Sequence, residues 1–150
     1  MGWDAYAYRS EQDFLFRLDN YVPEPQLDSE MRRVFEDATA ELERQTGHGG
    51  ANLCNGEVGG GWSKKCLSLA TPFSCRTEEN ERGVLCWSSE TVRQANALAD
   101  WNFSIADIDE DYAEFEEDIA FFNLLSCIKD DARFFLQTCA EHGYAIGFTG

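Results

Sequence analysis

The sequence is short of positive charge. It has 12 lysines and arginines against 28 aspartates and glutamates, a formal net charge of -16, and residues 94–128 contain no lysine or arginine. Such a chain repels nucleic-acid phosphates and anionic membrane headgroups, and it attracts basic proteins. The charge balance therefore argues against nucleic acid or a membrane surface as a partner and predicts a basic protein partner.

Long apolar runs are also missing. No stretch approaches the roughly 20 apolar residues that a membrane-spanning helix needs. The first residues, MGWDAYAYRSEQDF, lack the basic segment followed by an apolar segment that marks a secretory signal. We therefore expect no membrane span and a cytoplasmic location.

Recognisable catalytic and metal-binding spacings are absent. The only histidines are His48 and His142, and no two cysteines form a C-x-x-C pair. We expect reduced thiols at all six cysteines: Cys54, Cys66, Cys75, Cys86, Cys127 and Cys139. The alternative is a disulfide among the four in the middle of the chain, Cys54 to Cys86. The sequence predicts no enzyme, no cofactor and no metal. The alternative is a small thiol- or histidine-dependent enzyme, or a metal-binding protein, that uses His48 and the middle cysteines.

The chain has enough apolar residues to fold in spite of its charge. At 150 residues, 43% of them hydrophobic, it is long enough for one domain with a sizeable core. We predict a single domain over residues 1–150 with a glycine-rich loop at 47–62, because seven glycines in that segment disfavour a regular element. The predicted fold class is α+β and helix-dominated, with a long central C-terminal helix, two or three other helices and a small sheet of short strands.

Capping residues and apolar periodicity place the elements. Four helices are predicted: one after Ser10 that stops before Pro23, one over 28–45 that ends at Gly47, one from Ser88 or Ser89 to about Trp101, and the longest from near Asp118 to Gly143. Short strands are predicted at 3–8, 64–70, 83–87 and 144–148. The two middle strands are expected to form a hairpin, and the last strand to lie beside the first.

The acidic segment DIDEDYAEFEED, residues 107–118, is the most distinctive stretch. Asp107, Asp109 and Asp111 echo the spacing of a calcium-binding loop, so a calcium-binding module is one hypothesis. However, Tyr112 stands where that loop needs glycine, and Asp118 stands where it needs a bidentate glutamate. The segment is better interpreted as a solvated acidic turn beside helix N-termini, whose partial positive charge favours carboxylates.

Aromatic rings within this segment favour a binding role. Rings supply apolar anchors at an interface, while the surrounding charges steer and orient a basic partner. The predicted partner-binding residues are Asp107, Asp109, Glu110, Asp111, Tyr112, Glu114, Phe115, Glu116 and Glu117.

The overall profile is that of a small acidic domain without a catalytic signature. It resembles the profile of bacterial immunity proteins, which neutralise a cognate toxin, and also that of nucleic-acid mimics; no aligned motif carries either resemblance. The resemblance implies an inhibitor that occludes a basic site on a toxin or effector enzyme, acting as a monomer or homodimer.

Overall fold

The computed structural model describes residues 5–20, 27–49, 52–75, 77, 83–115 and 117–149. In chain order its elements are β1 Ala5–Tyr8, α1 Glu11–Asp19, α2 Ser29–Thr46, a 3-10 turn Leu53–Asn55, β2 Glu57–Val58, α3 Gly61–Ala70, β3 Val84–Trp87, α4 Ser89–Leu98, α5 Ile105–Ile108, a 3-10 helix Glu110–Phe115, α6 Ile119–His142 and β4 Ala145–Thr149. This is the helix-dominated α+β class that the sequence predicts.

The helix ends follow local sequence signals. The side chains of Ser10, Asp28, Ser88 and Asp118 each accept a hydrogen bond from a backbone N–H in the first turn of α1, α2, α4 and α6 respectively. Gly47 and Gly143 adopt left-handed conformations, with φ of 79° and 70°, and end α2 and α6. The predicted starts and stops of these helices are therefore confirmed, except that α4 ends at Leu98 rather than near Trp101.

The four strands form one antiparallel sheet in the order β2-β1-β4-β3. Ala5 pairs with Phe148 and Tyr8 with Ala145, which confirms that the last strand lies beside the first. Gly147 sits in the central strand, where an added Cβ would lie 2.5 Å from the Tyr8 ring and 2.6 Å from the Phe14 ring. Only glycine fits there without moving that aromatic pair, whose rings meet edge to face at 5.0 Å.

The sheet is covered on both faces. Tyr8 and Phe14 belong to a small cluster with Val84 and Ala145, formed where α1 packs against the sheet. Side chains of alternate strand residues, among them Ala7, Trp87, Ile146 and Phe148, join the main core with α6. Helix α6 packs against α2, α3 and α4, and so takes the central position that its length and apolar content predict.

The middle of the chain differs from the prediction. Residues 64–70, predicted as a strand, belong to helix α3. The buried residues of α3 include Ser63, Cys66, Leu67 and Ala70, which repeat at helical spacing. A short apolar run fits the residue spacing of a strand as well as that of a helix, so the sequence alone does not distinguish them. In the structure this segment is helical and packs against α6.

The predicted middle hairpin is consequently wrong in its pairing. Strand β3 pairs with β4, and the other middle strand is β2, at the opposite edge of the sheet. The glycine-rich segment 47–62 contains the 3-10 turn, β2 and the start of α3, with positive φ at Gly47, Gly56 and Gly60.

Across the described residues, no helix combines the length and the apolar character needed to cross a membrane.

Candidate functional site

The acidic segment leads directly into α6. Ser104 and Asp107 form a reciprocal capping box at the start of α5, in which the Asp107 carboxylate accepts the Ser104 N–H at 3.0 Å. Asp109 ends α5, and its carboxylate accepts the Asp111 N–H at 2.9 Å. Asp118 then caps α6. The predicted acidic turn beside a helix N-terminus is present, and three of its aspartates shape the backbone.

These local hydrogen bonds bear on the calcium hypothesis. Two of the three aspartates at the alternate positions, Asp107 and Asp109, direct an oxygen to a backbone N–H rather than toward a common centre. In the part of the chain that the structure describes, no group of three or more His, Cys, Asp or Glu side chains is arranged to hold a metal ion. The geometry therefore does not favour a calcium loop.

The other described acids of the segment are exposed to solvent. Asp111, Glu114 and Glu117 are exposed, and the side chain of Glu110 is 90% exposed. Among the described ion pairs, the one that reaches the segment joins Lys65 to Glu110 at 3.9 Å. Glu116 lies outside the described residues, and nothing is described of the Phe115 side chain. The carboxylates are thus close together in the chain and weakly compensated by the protein's own cations.

Apolar side chains of α6 lie beside these acids. The Tyr112 ring is half-buried and stands 6.3 Å from the ring of Phe122, which brings the 3-10 helix against the first turns of α6. Phe122 is 42% exposed, and Ile119, one turn earlier on the same side of the helix, is 75% exposed. We call the surface formed by Glu110, Asp111, Glu114, Glu117, Ile119 and Phe122 the acidic apolar face.

The exposure of Ile119 and Phe122 was not predicted from the sequence. Residues 119–125, IAFFNLL, are apolar around most of the helix circumference. A helix of this kind is either fully enclosed or leaves one side uncovered. That excess of apolar residues was the signal, but only the position of neighbouring elements decides which side stays exposed.

A second feature is a cleft of about 290 Å³ between α6, the start of α3 and the segment around β2. Its lining residues are Gly49, Asn52, Leu53, Glu57, Val58, Gly59, Ser63, Leu124, Cys127, Ile128 and Asp131. The Oδ1 atom of Asp131 is buried and, among the described residues, has no hydrogen-bond donor. Burial raises the pKa of Asp131 to about 6; the nearby His48 lowers it, and Asp130 adds to the rise.

His48 lies next to this cleft. Its Nε2 atom stands 3.4 Å from the Asp130 carboxylate, which is also 3.2 Å from the guanidinium of Arg133. Its Nδ1 atom is buried without a hydrogen-bond partner in the described part of the protein. His48 therefore belongs to a group with Asp130 and Asp131.

The cysteines are all free thiols in the structure. Burial raises the pKa of Cys66, Cys75 and Cys86 to about 12. Burial, with Asp131 and Asp130, also raises the pKa of Cys127, the cysteine that lines the cleft. A thiol with a raised pKa keeps its proton at neutral pH and is a poor nucleophile or metal ligand. These four thiols give no support to the thiol-dependent alternative.

Comparisons with known proteins add no functional assignment. No family model, no curated protein and no solved structure matches this chain.

Proposed function

We propose that this protein binds a basic partner protein through the acidic apolar face and occludes a basic site on that partner. The observation that carries the proposal is the combination of exposed carboxylates and exposed apolar side chains on adjoining elements, with Lys65 as the single described cation in contact. Such a combination supplies both the central apolar contacts and the charged rim of a protein interface.

Electrostatics supports a basic partner in particular. The formal net charge of -16 produces a long-range field that raises the association rate with a cationic surface. At physiological salt the Debye length is about 8 Å, so a bound partner interacts mainly with the charges nearest to it, which at this face include the exposed acids of the 3-10 helix. These carboxylates are hydrated in the free protein. Binding therefore costs desolvation free energy only for the carboxylates that the partner covers.

The specific form of the proposal is an immunity-type inhibitor that neutralises a toxin or effector enzyme. An inhibitor of this kind needs a surface that covers a basic active site, and it needs no catalytic group of its own. The predicted binding surface also includes five residues outside the acidic apolar face: Asp107, Asp109, Tyr112, Phe115 and Glu116. The identity of the captured partner distinguishes an immunity-type inhibitor, which binds a toxin or effector enzyme, from a nucleic-acid mimic, which binds a nucleic-acid-binding protein.

The test is a pull-down from an extract of the source cells, with the partner identified by mass spectrometry and its affinity then measured. Capture should weaken from about 50 mM to about 500 mM salt, because added ions screen exposed charges. The triple variant Glu110→Lys, Asp111→Lys, Glu114→Lys should weaken binding roughly a hundredfold or more, since like charges facing each other cost several kcal/mol.

A matched control places the same charge change elsewhere. The variant Glu36→Lys, Asp37→Lys, Glu43→Lys alters three exposed acids of α2 and gives the same net charge. It should retain most of the affinity. Equal weakening by both variants would show that net charge alone drives association, and unchanged binding by the first variant would remove the acidic apolar face from the interface.

A further inference from the structure

A cluster of ionisable side chains joins the end of α2 to α6. His48 follows the Gly47 cap of α2, and its Nε2 atom lies 3.4 Å from one carboxylate oxygen of Asp130 in α6. The Arg133 guanidinium lies 3.2 Å from the other oxygen of Asp130. The charge of His48 also acts on Asp131, which takes part in none of the ion pairs within the described residues. The cluster therefore has two carboxylates and one permanent cation.

Two buried atoms of this cluster have no hydrogen-bond partner. In a neutral imidazole one nitrogen donates a hydrogen bond and the other accepts one. With the proton of His48 on Nε2, where it faces Asp130, Nδ1 is an acceptor, and no described residue donates to it. Asp131 Oδ1 is likewise buried without a donor in the described part of the chain. One added proton turns either atom from an unpaired acceptor into a donor.

The charges of the cluster favour the uptake of that proton. Without it, Asp130, Asp131 and Arg133 leave one uncompensated negative charge among half-buried side chains, which is unfavourable. Burial raises the pKa of Asp131 to about 6, although the nearby His48 lowers it. Histidine side chains ordinarily titrate close to this value, at about 6.5. Two neighbouring groups that titrate in one pH range influence each other's protonation.

The other titratable groups around the cluster supply no further cation. Glu43 of α2 approaches the same loop, with its Oε1 atom 3.5 Å from the position that a Cβ would take at Gly49. Glu57 of β2 and Cys127 of α6 line the cleft together with Asp131, and the pKa of the Cys127 thiol is raised, so it keeps its proton. Among the described residues these neighbours are acidic or neutral, and a proton is the cation that remains.

We propose that His48 and Asp131 share one proton taken up from water, and that this proton holds the end of α2 against α6. With the proton on His48, the imidazolium is attracted to both aspartates; with the proton on Asp131, that carboxyl group is neutral. Because the folded protein raises the pKa of Asp131, the stabilisation is present at low pH and is lost as the pH rises through about 6. This pH dependence is independent of the proposed inhibitor role.

The first test is an NMR titration of the imidazole Cε1–H signals from about pH 4.5 to about pH 9, a range that brackets histidine titration. In Asp131→Asn the midpoint of the His48 titration should fall by about half a pH unit or more, because the imidazolium loses a neighbouring negative charge. His142 is the internal reference. It lies about three turns beyond Asp131 in α6, and its midpoint should not change.

A matched variant makes the same charge change away from the cluster. Asp37→Asn removes one exposed carboxylate of α2 and should move the His48 midpoint by less than about 0.2 pH unit, because solvent and salt screen a distant exposed charge. An equal change in both variants would show that net charge alone affects His48. No change in Asp131→Asn would show that the two groups titrate independently. Either result would overturn the shared proton.

The second test concerns the attachment of α2 to α6. The ¹H–¹⁵N heteronuclear NOE of His48 and Gly49 should be lower at about pH 8 than at about pH 5.5, because the backbone moves more on the picosecond to nanosecond timescale when the proton is lost. His48→Gln keeps an N–H donor but does not titrate, so its values should be equal at the two pH values. Equal values in the unmodified protein would overturn the attachment. No partner protein is present, so these results do not depend on the pull-down.

Discussion

Both parts of α6 carry large apolar side chains, but these side chains have different surroundings in the two parts. Residues 119–124 include Ile119, Phe122 and Leu124, which are 42–75% exposed, whereas the later part buries Leu125, Phe135 and Leu136 completely. Apolar spacing identifies both parts as helix, but the free energy gained from each side chain depends on what covers it. The comparison shows that one helix provides the centre of the core and also an apolar surface next to the acidic segment.

The carboxylates of the two parts differ in the same way. Glu117 and Asp118 lie exposed before the first turn, and Asp118 stabilises the helix by capping it. Asp131, in the later part, is largely enclosed, and its charge is costly. An exposed acid therefore acts through its field or through the backbone, and an enclosed acid requires a specific partner.

Removing an aromatic ring should give the largest difference in the free energy of unfolding between the two parts of α6. Phe135→Ala should lower the free energy of unfolding by about 3–5 kcal/mol, because it removes a fully buried ring that packs near Phe35. Phe122→Ala should change it by less than about 1 kcal/mol, because that ring is partly exposed. Urea unfolding of both variants measures the contrast; similar losses would show that residues 119–124 are covered in the folded protein.

Asp131→Asn should raise the free energy of unfolding, whereas Phe135→Ala lowers it, and the size of the change should be smaller than for Phe135→Ala. The pKa of Asp131 is about 6 in the folded protein and ordinarily 3.8, so between these values the folded state binds more protons than the unfolded state. Stability therefore falls as pH rises from about 4 to about 6. The asparagine variant avoids this loss. Because solvent partly screens the carboxylate, the variant should gain only about 2 kcal/mol above pH 6, with little gain below pH 4.

The matched change at the neighbouring carboxylate sharpens that prediction. Asp130 contacts the Arg133 guanidinium at 3.2 Å and His48 at 3.4 Å, so Asp130→Asn loses favourable interactions and should give no stabilisation at neutral pH. Thermal unfolding across pH 4 to 8 compares the two variants. A gain for Asp130→Asn equal to that for Asp131→Asn would indicate a general effect of net charge.

The smallest expected change in the free energy of unfolding comes from the residues at the start of α6. Asp118→Ala removes the side chain that accepts the Phe121 N–H and should cost about 1 kcal/mol. Glu117→Ala, one residue earlier and exposed, should be nearly neutral. Chemical denaturation of both variants checks the pair, and an equal cost at the two positions would argue against a specific capping role for Asp118.

Much of the fold followed from signals that act over a few residues. Ser10, Asp28, Asp118, Gly47 and Gly143 set helix ends through hydrogen bonds and backbone conformations within one turn, and each was readable in the sequence. The strand prediction at residues 64–70 was wrong because a short apolar run fits both periods. Pairing of β3 with β4 depended on contacts far along the chain, and the sequence did not specify it.

The same distinction between local sequence signals and long-range contacts applies to the candidate sites. Their acids were visible as a segment without nearby cations, but the exposure of Ile119 and Phe122 depends on which elements cover α6. The sequence by itself determined the charge, the helices and their caps, because these depend on residue type and on near neighbours. Only the tertiary structure placed His48 beside Asp130, 82 positions away, and enclosed Asp131, because burial is created by surfaces that distant segments bring together.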